Sequence, residues 1–241
     1  MAVAVVYILF MTLLWLLLIT GSYFAVAIIS QYRYRYKLHE RLDRIYPLFN
    51  KHMELNNTCE IAAVEIREMK IITSDMPGLA AFDTVFHEYT QTHGYNDKLF
   101  EYTGKIIKYK TLLKIVRGKY RISYILYLIS EYRISDPDAV YLAVKSLADK
   151  SCYTRVNALM AVKSTGDIGL VIHTLKIAGR SAYYFDGRLI VDFLDTFAGN
   201  KTELRRALLN QFDVLNYFIQ RQIMTHLINQ GDYAGLALLE D

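Results

Sequence analysis

Between Ala2 and Tyr32 the chain carries no charged side chain, and its stretch VYILFMTLLWLLLITGSYFAVAII is almost wholly apolar. A helix needs about 20 apolar residues to cross a bilayer, so this run is long enough to span one with some tilt. A cleaved signal peptide would carry a basic start and an apolar core of only about 7–15 residues. Here no Lys or Arg precedes the run, and the run is longer. The pattern predicts an uncleaved membrane anchor over residues 1–32. That segment also explains a hydrophobic content of 53% and a mean hydropathy of +0.15, both high for a soluble domain.

The flank sets an orientation. Immediately after the apolar run comes QYRYRYKLHERLDR, in which Arg33, Arg35, Lys37, Arg41 and Arg44 face only Glu40 and Asp43. Basic residues close to a membrane end stay on the cytosolic side, so the N-terminus is expected outside and everything after Gln31 in the cytosol. Tyr32, Tyr34 and Tyr36 suit the aromatic belt at the interface, while Trp15 lies too deep for it. The two cysteines, Cys59 and Cys152, fit a reducing compartment. The sequons at Asn56 and Asn200 would not meet the glycosylation machinery there. Residues 33–55 read as a basic juxtamembrane helix interrupted near Pro47.

The remainder reads as all-α. Only three prolines and twelve glycines occur in 241 residues, and no alternating strand pattern persists. Apolar residues instead recur at three- and four-residue intervals, as on amphipathic helices. Helical patterns run over 58–72, 78–91 and 96–117, with SDMPG and THGYND as breaks. Residues 56–118 are read as divergent helical repeats.

Beyond them a period emerges. Gly166-Asp167 has counterparts at Gly199-Asn200 and Gly231-Asp232, and Arg155, Arg188 and Arg221 are evenly spaced at the same interval. Val171 and Leu175 correspond to Leu204 and Leu208, and SDPDAV occupies the place that GDIGLV takes one repeat later. A period in the low thirties filled by two helices signals stacked helical pairs, because one pair cannot bury both of its apolar faces alone. The pairs are expected at 137–149 with 152–165, 168–179 with 187–198, and 201–211 with 213–230. DYAGLALLED then supplies a helix with no partner after it, either a cap or the lead into further chain.

The phrase LADKSCYTRVNALMAV, with Asp149 in the turn, Arg155 six residues later and spaced Ala and Leu, resembles the second helix of a HEAT repeat. ISDPDAVYLAVKSLADK resembles the first, and within that group the likeness is to the short bacterial-type repeats. It covers about the last half of the chain, 119–241; the turn AGRSAYYFDG is longer than the family's and lacks an Asp six residues before Arg188. The resemblance implies an α-α superhelix, a solenoid, and a scaffold or adaptor that offers an extended surface to a protein partner.

Chemistry is sparse. HEYTQTH, His87 to His93, lacks the second His four residues on that a zinc helix needs, since position 91 is Gln. TGKI at 103–106 has Leu99 where a phosphate loop requires glycine. Asp136/Asp138 and Asp192/Asp195 are read as caps and a solvated helix face. No catalytic residue, metal ligand, cofactor or small-molecule substrate is inferred. One feature rises above this background: KIIKYKTLLKIVRGKYR carries seven cations and no acid. Ile106, Tyr109, Leu113 and Val116 are read as its inward stripe and Lys110, Lys114 and Arg117 as its outward one. Arg33, Arg35, Lys37, Lys105, Lys108, Lys110, Lys114, Arg117 and Arg121 are therefore the candidate binding residues. The expected partner is a membrane-associated protein, with anionic lipid headgroups as an alternative ligand. Nucleic acid would suit the basic stretch, but a tether and a net charge of only +4 argue against it.

Overall fold

The computed structural model describes residues 2–54, 63–118 and 120–237, and every regular element among them is helical. Cys59 and the Asn56 sequon lie outside the described residues. The chain divides into two compact units, Met1–Tyr95 and Asn96–Asp241, a boundary that falls inside the 56–118 stretch.

The first unit contains α1 (Ala2–Glu54), α2 (Ala63–Ile72) and α3 (Met76–His93). Helix α1 is long and apolar enough to cross a membrane, and none of its most apolar stretch is buried inside the protein. The same helix does different work near its end. Ile45, Phe49 and Met53, four residues apart and so on one face, are buried with Phe82 and Phe86 of α3. Phe49 meets Phe82 edge-on at 6.0 Å and Tyr89 at 5.5 Å. The expected interruption at Pro47 does not occur: the proline sits inside a continuous helix, on its exposed side. An interior proline costs about 3 kcal/mol through its missing N–H, and the buried residues on either side offset that cost by packing on α3. Helix α3 starts where SDMPG predicts a break, with Asp75 accepting from the Gly78 N–H at 2.9 Å. Gly78 is required there, since a Cβ would lie 1.8 Å from the Ile72 carbonyl oxygen.

The second unit runs through α4 (Asp97–Ile106), α5 (Tyr109–Ile115), α6 (Arg121–Glu131), α7 (Pro137–Ser146), α8 (Cys152–Ser164), α9 (Ile168–Arg180), α10 (Gly187–Asp195), α11 (Lys201–Asn210), α12 (Tyr217–Asn229) and α13 (Tyr233–Ala237). Each helix from α7 to α12 begins at a side-chain cap: Asp136, Ser151, Asp167, Asp186, Asn200 and Asn216 each accept from a first-turn N–H. The two Gly-Asp phrases are thus stop-and-start signals, whereas in Gly199-Asn200 only the asparagine marks a helix start. Gly166 and Gly231 adopt φ of 71° and 70°, as helix-ending glycines do. Arg133, one period before Gly166, holds the same left-handed conformation at φ 48° and ends α6. Its guanidinium lies 4.0 Å from the centre of the Phe100 ring. Gly199 is there for space: a Cβ would lie 2.5 Å from the Gly166 carbonyl oxygen.

Successive even-numbered helices pack on one another, α6 on α8, α8 on α10 and α10 on α12, and α9 packs on α11. Side chains about one period apart bond across these contacts. Asn157 donates to the Ser123 carbonyl at 2.9 Å, Lys163 to the Thr196 hydroxyl at 2.9 Å, Lys176 to Gln211 at 2.9 Å and Gln230 to Asp195 at 3.1 Å. The pairings also set direction. Arg155, early in α8, reaches the turn before α10, and Lys163, near the end of α8, reaches Thr196 just after α10. Gln222 lies against Gly187 at the start of α10, and His226 and Gln230 meet Asp195 at its end. Helices α8, α10 and α12 therefore run parallel.

Arg155, Arg188 and Arg221, though evenly spaced, are not equivalent. Arg155 is buried, while Arg188 and Arg221 are exposed. Equal spacing does not give an equal place: Arg155 is the fourth residue of α8, Arg188 the second of α10 and Arg221 the fifth of α12, and only Arg155 is turned into the core.

Candidate functional site

Arg33, Arg35 and Lys37 leave α1 exposed, beside the exposed Tyr32, Tyr34 and Tyr36. The later cations of the same flank are used within the unit: Arg41 pairs with Asp75 at 3.4 Å, Arg44 with Glu68 at 3.0 Å and Lys51 with Glu65 at 2.5 Å.

The basic stretch 105–121 is not one helix. It breaks at Ile107 and Lys108 between α4 and α5, so its periodicity shifts. The inward residues are Ile106, Ile107, Tyr109, Leu112, Ile115 and Val116, and Leu113 is only half-buried. The physical reason is register: two non-helical backbone positions rotate the second helix relative to a continuous 3.6-residue pattern. Lys105 is engaged by Glu101 at 2.6 Å, and Lys108 donates to the Gly104 carbonyl at 2.5 Å, covering the end of α4. Arg121 is a structural residue, half-buried and donating from Nη2 to the Leu113 carbonyl. This leaves Lys110, Lys114 and Arg117, all exposed and without an ion-pair partner among the described residues. Lys110 and Lys114, four apart, share a face of α5. Burial raises the Tyr109 hydroxyl above its usual pKa, with Asp138 and Asp136 adding to the effect.

A polar cluster joins α10, α11 and α12. His226, buried, bonds through Nδ1 to Asp195 Oδ1 at 2.5 Å, and Gln230 donates to the same oxygen. Asp195 is therefore an interhelical acceptor and not the solvated-face residue its spacing suggests. Arg205 grips Asp232 through Nε and Nη2, and that guanidinium holds the Asp232 carboxyl below its usual pKa. His226, Gln230, Arg205 and Asp232 line a cavity of about 230 Å³. An Asp–His pair can orient an imidazole as a base, and Thr202 and Lys201 are among the other residues lining this cavity. The signal that could have located the cluster was the period itself, since Asp195 and His226 lie 31 residues apart.

A second, more open cavity of about 410 Å³ lies along α9, where His173, Lys176 and Arg180 meet Ile177 and Tyr183. Lys176 is tied to Gln211; His173 and Arg180 are exposed.

The other sequence motifs resolve simply. His87 bonds to the Asp83 carbonyl and His93 stacks on Tyr89 at 4.5 Å. Thr103, Gly104 and Lys105 lie inside α4, with the Thr103 hydroxyl donating to the Leu99 carbonyl. Among the described residues no group of three His, Cys, Asp or Glu side chains is placed to hold a metal ion. Comparison with protein-family models, curated proteins and solved structures finds nothing that matches the chain.

Proposed function

We propose that this chain is a membrane-anchored scaffold. Helix α1 holds it in a bilayer with Arg33, Arg35 and Lys37 on the cytosolic side, and the paired helices of Asn96–Asp241 form a HEAT-like solenoid that presents its surface to a membrane-associated protein. The observation that carries this reading is that the long-range side-chain hydrogen bonds of Asn96–Asp241 join residues 27 to 37 apart, with four pairs at 33 to 35. Contacts gathered around one separation are what stacked repeats make, and a stack has an interior of packing residues with its binding capacity on the outside. The exposure of the apolar part of α1 supports the anchor, because a soluble fold would cover it. Tethering confines the surface to two dimensions and raises its effective concentration for a partner in the same membrane. The reading assigns no catalytic residue, cofactor or small-molecule substrate.

In-cell crosslinking followed by purification in mild detergent tests it. The expected result is a defined complex containing one recurrent membrane protein; recovery of the bare chain alone removes the scaffold reading. A second reading is supported by Lys110, Lys114 and Arg117, whose free charges suit an anionic ligand. If that ligand were nucleic acid, the detergent-solubilised chain would bind it at low salt and lose it through Lys110→Glu and Lys114→Glu.

A further inference from the structure

We propose that one edge of the unit Asn96–Asp241 rests on the headgroup layer of an anionic bilayer. The edge is the one formed by the N-terminal ends of α6, α8, α10 and α12. Helices α8, α10 and α12 run parallel and pack in succession, so their first residues align along one side. Helix α6 joins them, because Asn157 of α8 binds Ser123 in its first turn. At each of these four ends stands an exposed tyrosine: Tyr120 at 67%, Tyr153 at 77%, Tyr184 at 77% and Tyr217 at 76% exposure. With packed helices about 8–10 Å apart, the three intervals give a row of about 24–30 Å.

Four solvent-facing rings in one row are costly to leave in water unless something covers them. Tyrosine has an apolar body and a polar tip, and that combination is most stable where hydrocarbon meets headgroup. The charges beside the row agree. Arg117, Lys150 and Arg180 are exposed and have no ion-pair partner among the described residues. The nearby acids are fewer in exposed charge. Asp149 is half-buried and accepts from the Ser151 N–H, and Asp186 caps α10 while staying exposed, as Asp213 does, so two exposed acids stand against the three cations. The 410 Å³ cavity opens on this same edge, with Arg180 at its polar side and Ile177 and Tyr183 on its apolar walls. A phosphate with the start of an acyl chain has that division of character. The bilayer is the occupant chosen because the chain carries its own membrane-length helix; the inference rests on the anchor reading in that respect.

The test uses the full chain reconstituted into vesicles of phosphatidylcholine alone or mixed with phosphatidylserine, with tyrosine nitration rates read residue by residue by mass spectrometry. Tyr141, in the middle of α7, and Tyr233, at the start of α13, are exposed and off the edge, so they serve as internal controls. The expected result is that Tyr153, Tyr184 and Tyr217 are protected only with phosphatidylserine, and that raising salt from about 0.1 M to about 0.5 M removes the protection. Lys150→Glu and Arg180→Glu should each lower it by about fivefold, while Arg180→Lys keeps it. Equal rates in both vesicle types, or protection of Tyr141 and Tyr233 as well, overturn the proposal. Tyrosines reactive in lipid vesicles yet protected in native membranes overturn it in favour of a protein occupant. Flotation after alkaline wash separates the two readings: a chain that does not float defeats the anchor, and one that floats with reactive edge tyrosines defeats only this proposal.

Discussion

Arg155 donates from Nη2 to the carbonyl of Tyr184 at 3.0 Å and from Nη1 to the carbonyls of Asp149 and Lys150 at 2.9 and 3.1 Å. One buried guanidinium thus closes the turn before its own helix and ties it to the turn before α10. The rings of Tyr183 and Phe185 lie 5.2 and 5.5 Å from it. Replacing Arg155 by Met keeps the apolar stem but strands three carbonyls. Stability of the second unit should fall by about 2–4 kcal/mol in urea melts. Arg155→Lys should recover only part of that, because a single ammonium cannot serve two turns at once.

Gly199→Ala and Gly104→Ala should move stability in opposite directions. At Gly199 the new methyl would collide with the Gly166 carbonyl oxygen and the Phe197 ring, so a loss of about 1–3 kcal/mol is expected. Gly104 lies inside α4 with no atom within 4 Å of the place a Cβ would take, and alanine there should gain about 0.5–1 kcal/mol through helix propensity. Thermal melts of the two variants check the contrast.

In the first unit, Phe49→Ala should cost about 3–5 kcal/mol, since it empties the contact between α1 and α3. Pro47→Ala should instead stabilise, by about 1 kcal/mol or more, because the site is exposed, already helical, and regains a backbone N–H. A Pro47→Ala variant less stable than the parent would refute the account of how α1 stays continuous.

Acid should weaken the link between α11 and α13. The Asp232 carboxyl is depressed by its hydrogen bonds to Arg205, then raised somewhat by desolvation and lowered again by the Gly235 N–H. A depressed carboxyl favours the fold above its unfolded value of about 3.9, and the contribution disappears as pH falls through the lower folded value. Asp232→Asn should therefore flatten the pH dependence of stability below about pH 4 and leave its neutral-pH slope unchanged.

Leu17→Arg places a charge near the centre of the apolar run, at an insertion cost of about 2.5–3.5 kcal/mol. If α1 is an anchor, the variant should shift from the alkaline-washed membrane fraction to the soluble or aggregated one. Replacing Arg33, Arg35 and Lys37 together by Gln should scramble protease protection of the C-terminal unit without releasing the chain.

The helices, their caps and the period were legible in the sequence because they rest on local chemistry. Asp, Asn or Ser before an amphipathic run starts a helix, and Gly before Asp ends one at Gly166 and Gly231; these need no knowledge of distant residues. The break at Ile107 was not legible, since KIIKYKTLLKIV contains no glycine or proline, and only packing of both halves reveals the change of register. Arg133 was not legible for a related reason: a left-handed helix end is signalled by glycine, and here an arginine resting on Phe100 holds the position. Of the candidate cations, Arg33, Arg35, Lys37, Lys110, Lys114 and Arg117 remain exposed and outside any ion pair among the described residues, whereas Lys105, Lys108 and Arg121 are drawn into local bonds.

The sequence alone determined that this chain is helical, that it carries one apolar rod of membrane length, and that landmarks in its last half recur at a regular interval. Those properties follow from hydrophobicity and backbone chemistry summed over near neighbours. Tertiary structure decided which of the evenly spaced arginines is buried, which aspartate meets His226, and that four tyrosines share an edge. Each depends on how a side chain is rotated against a neighbouring helix, and periodicity constrains the spacing of such residues but not the direction in which they face.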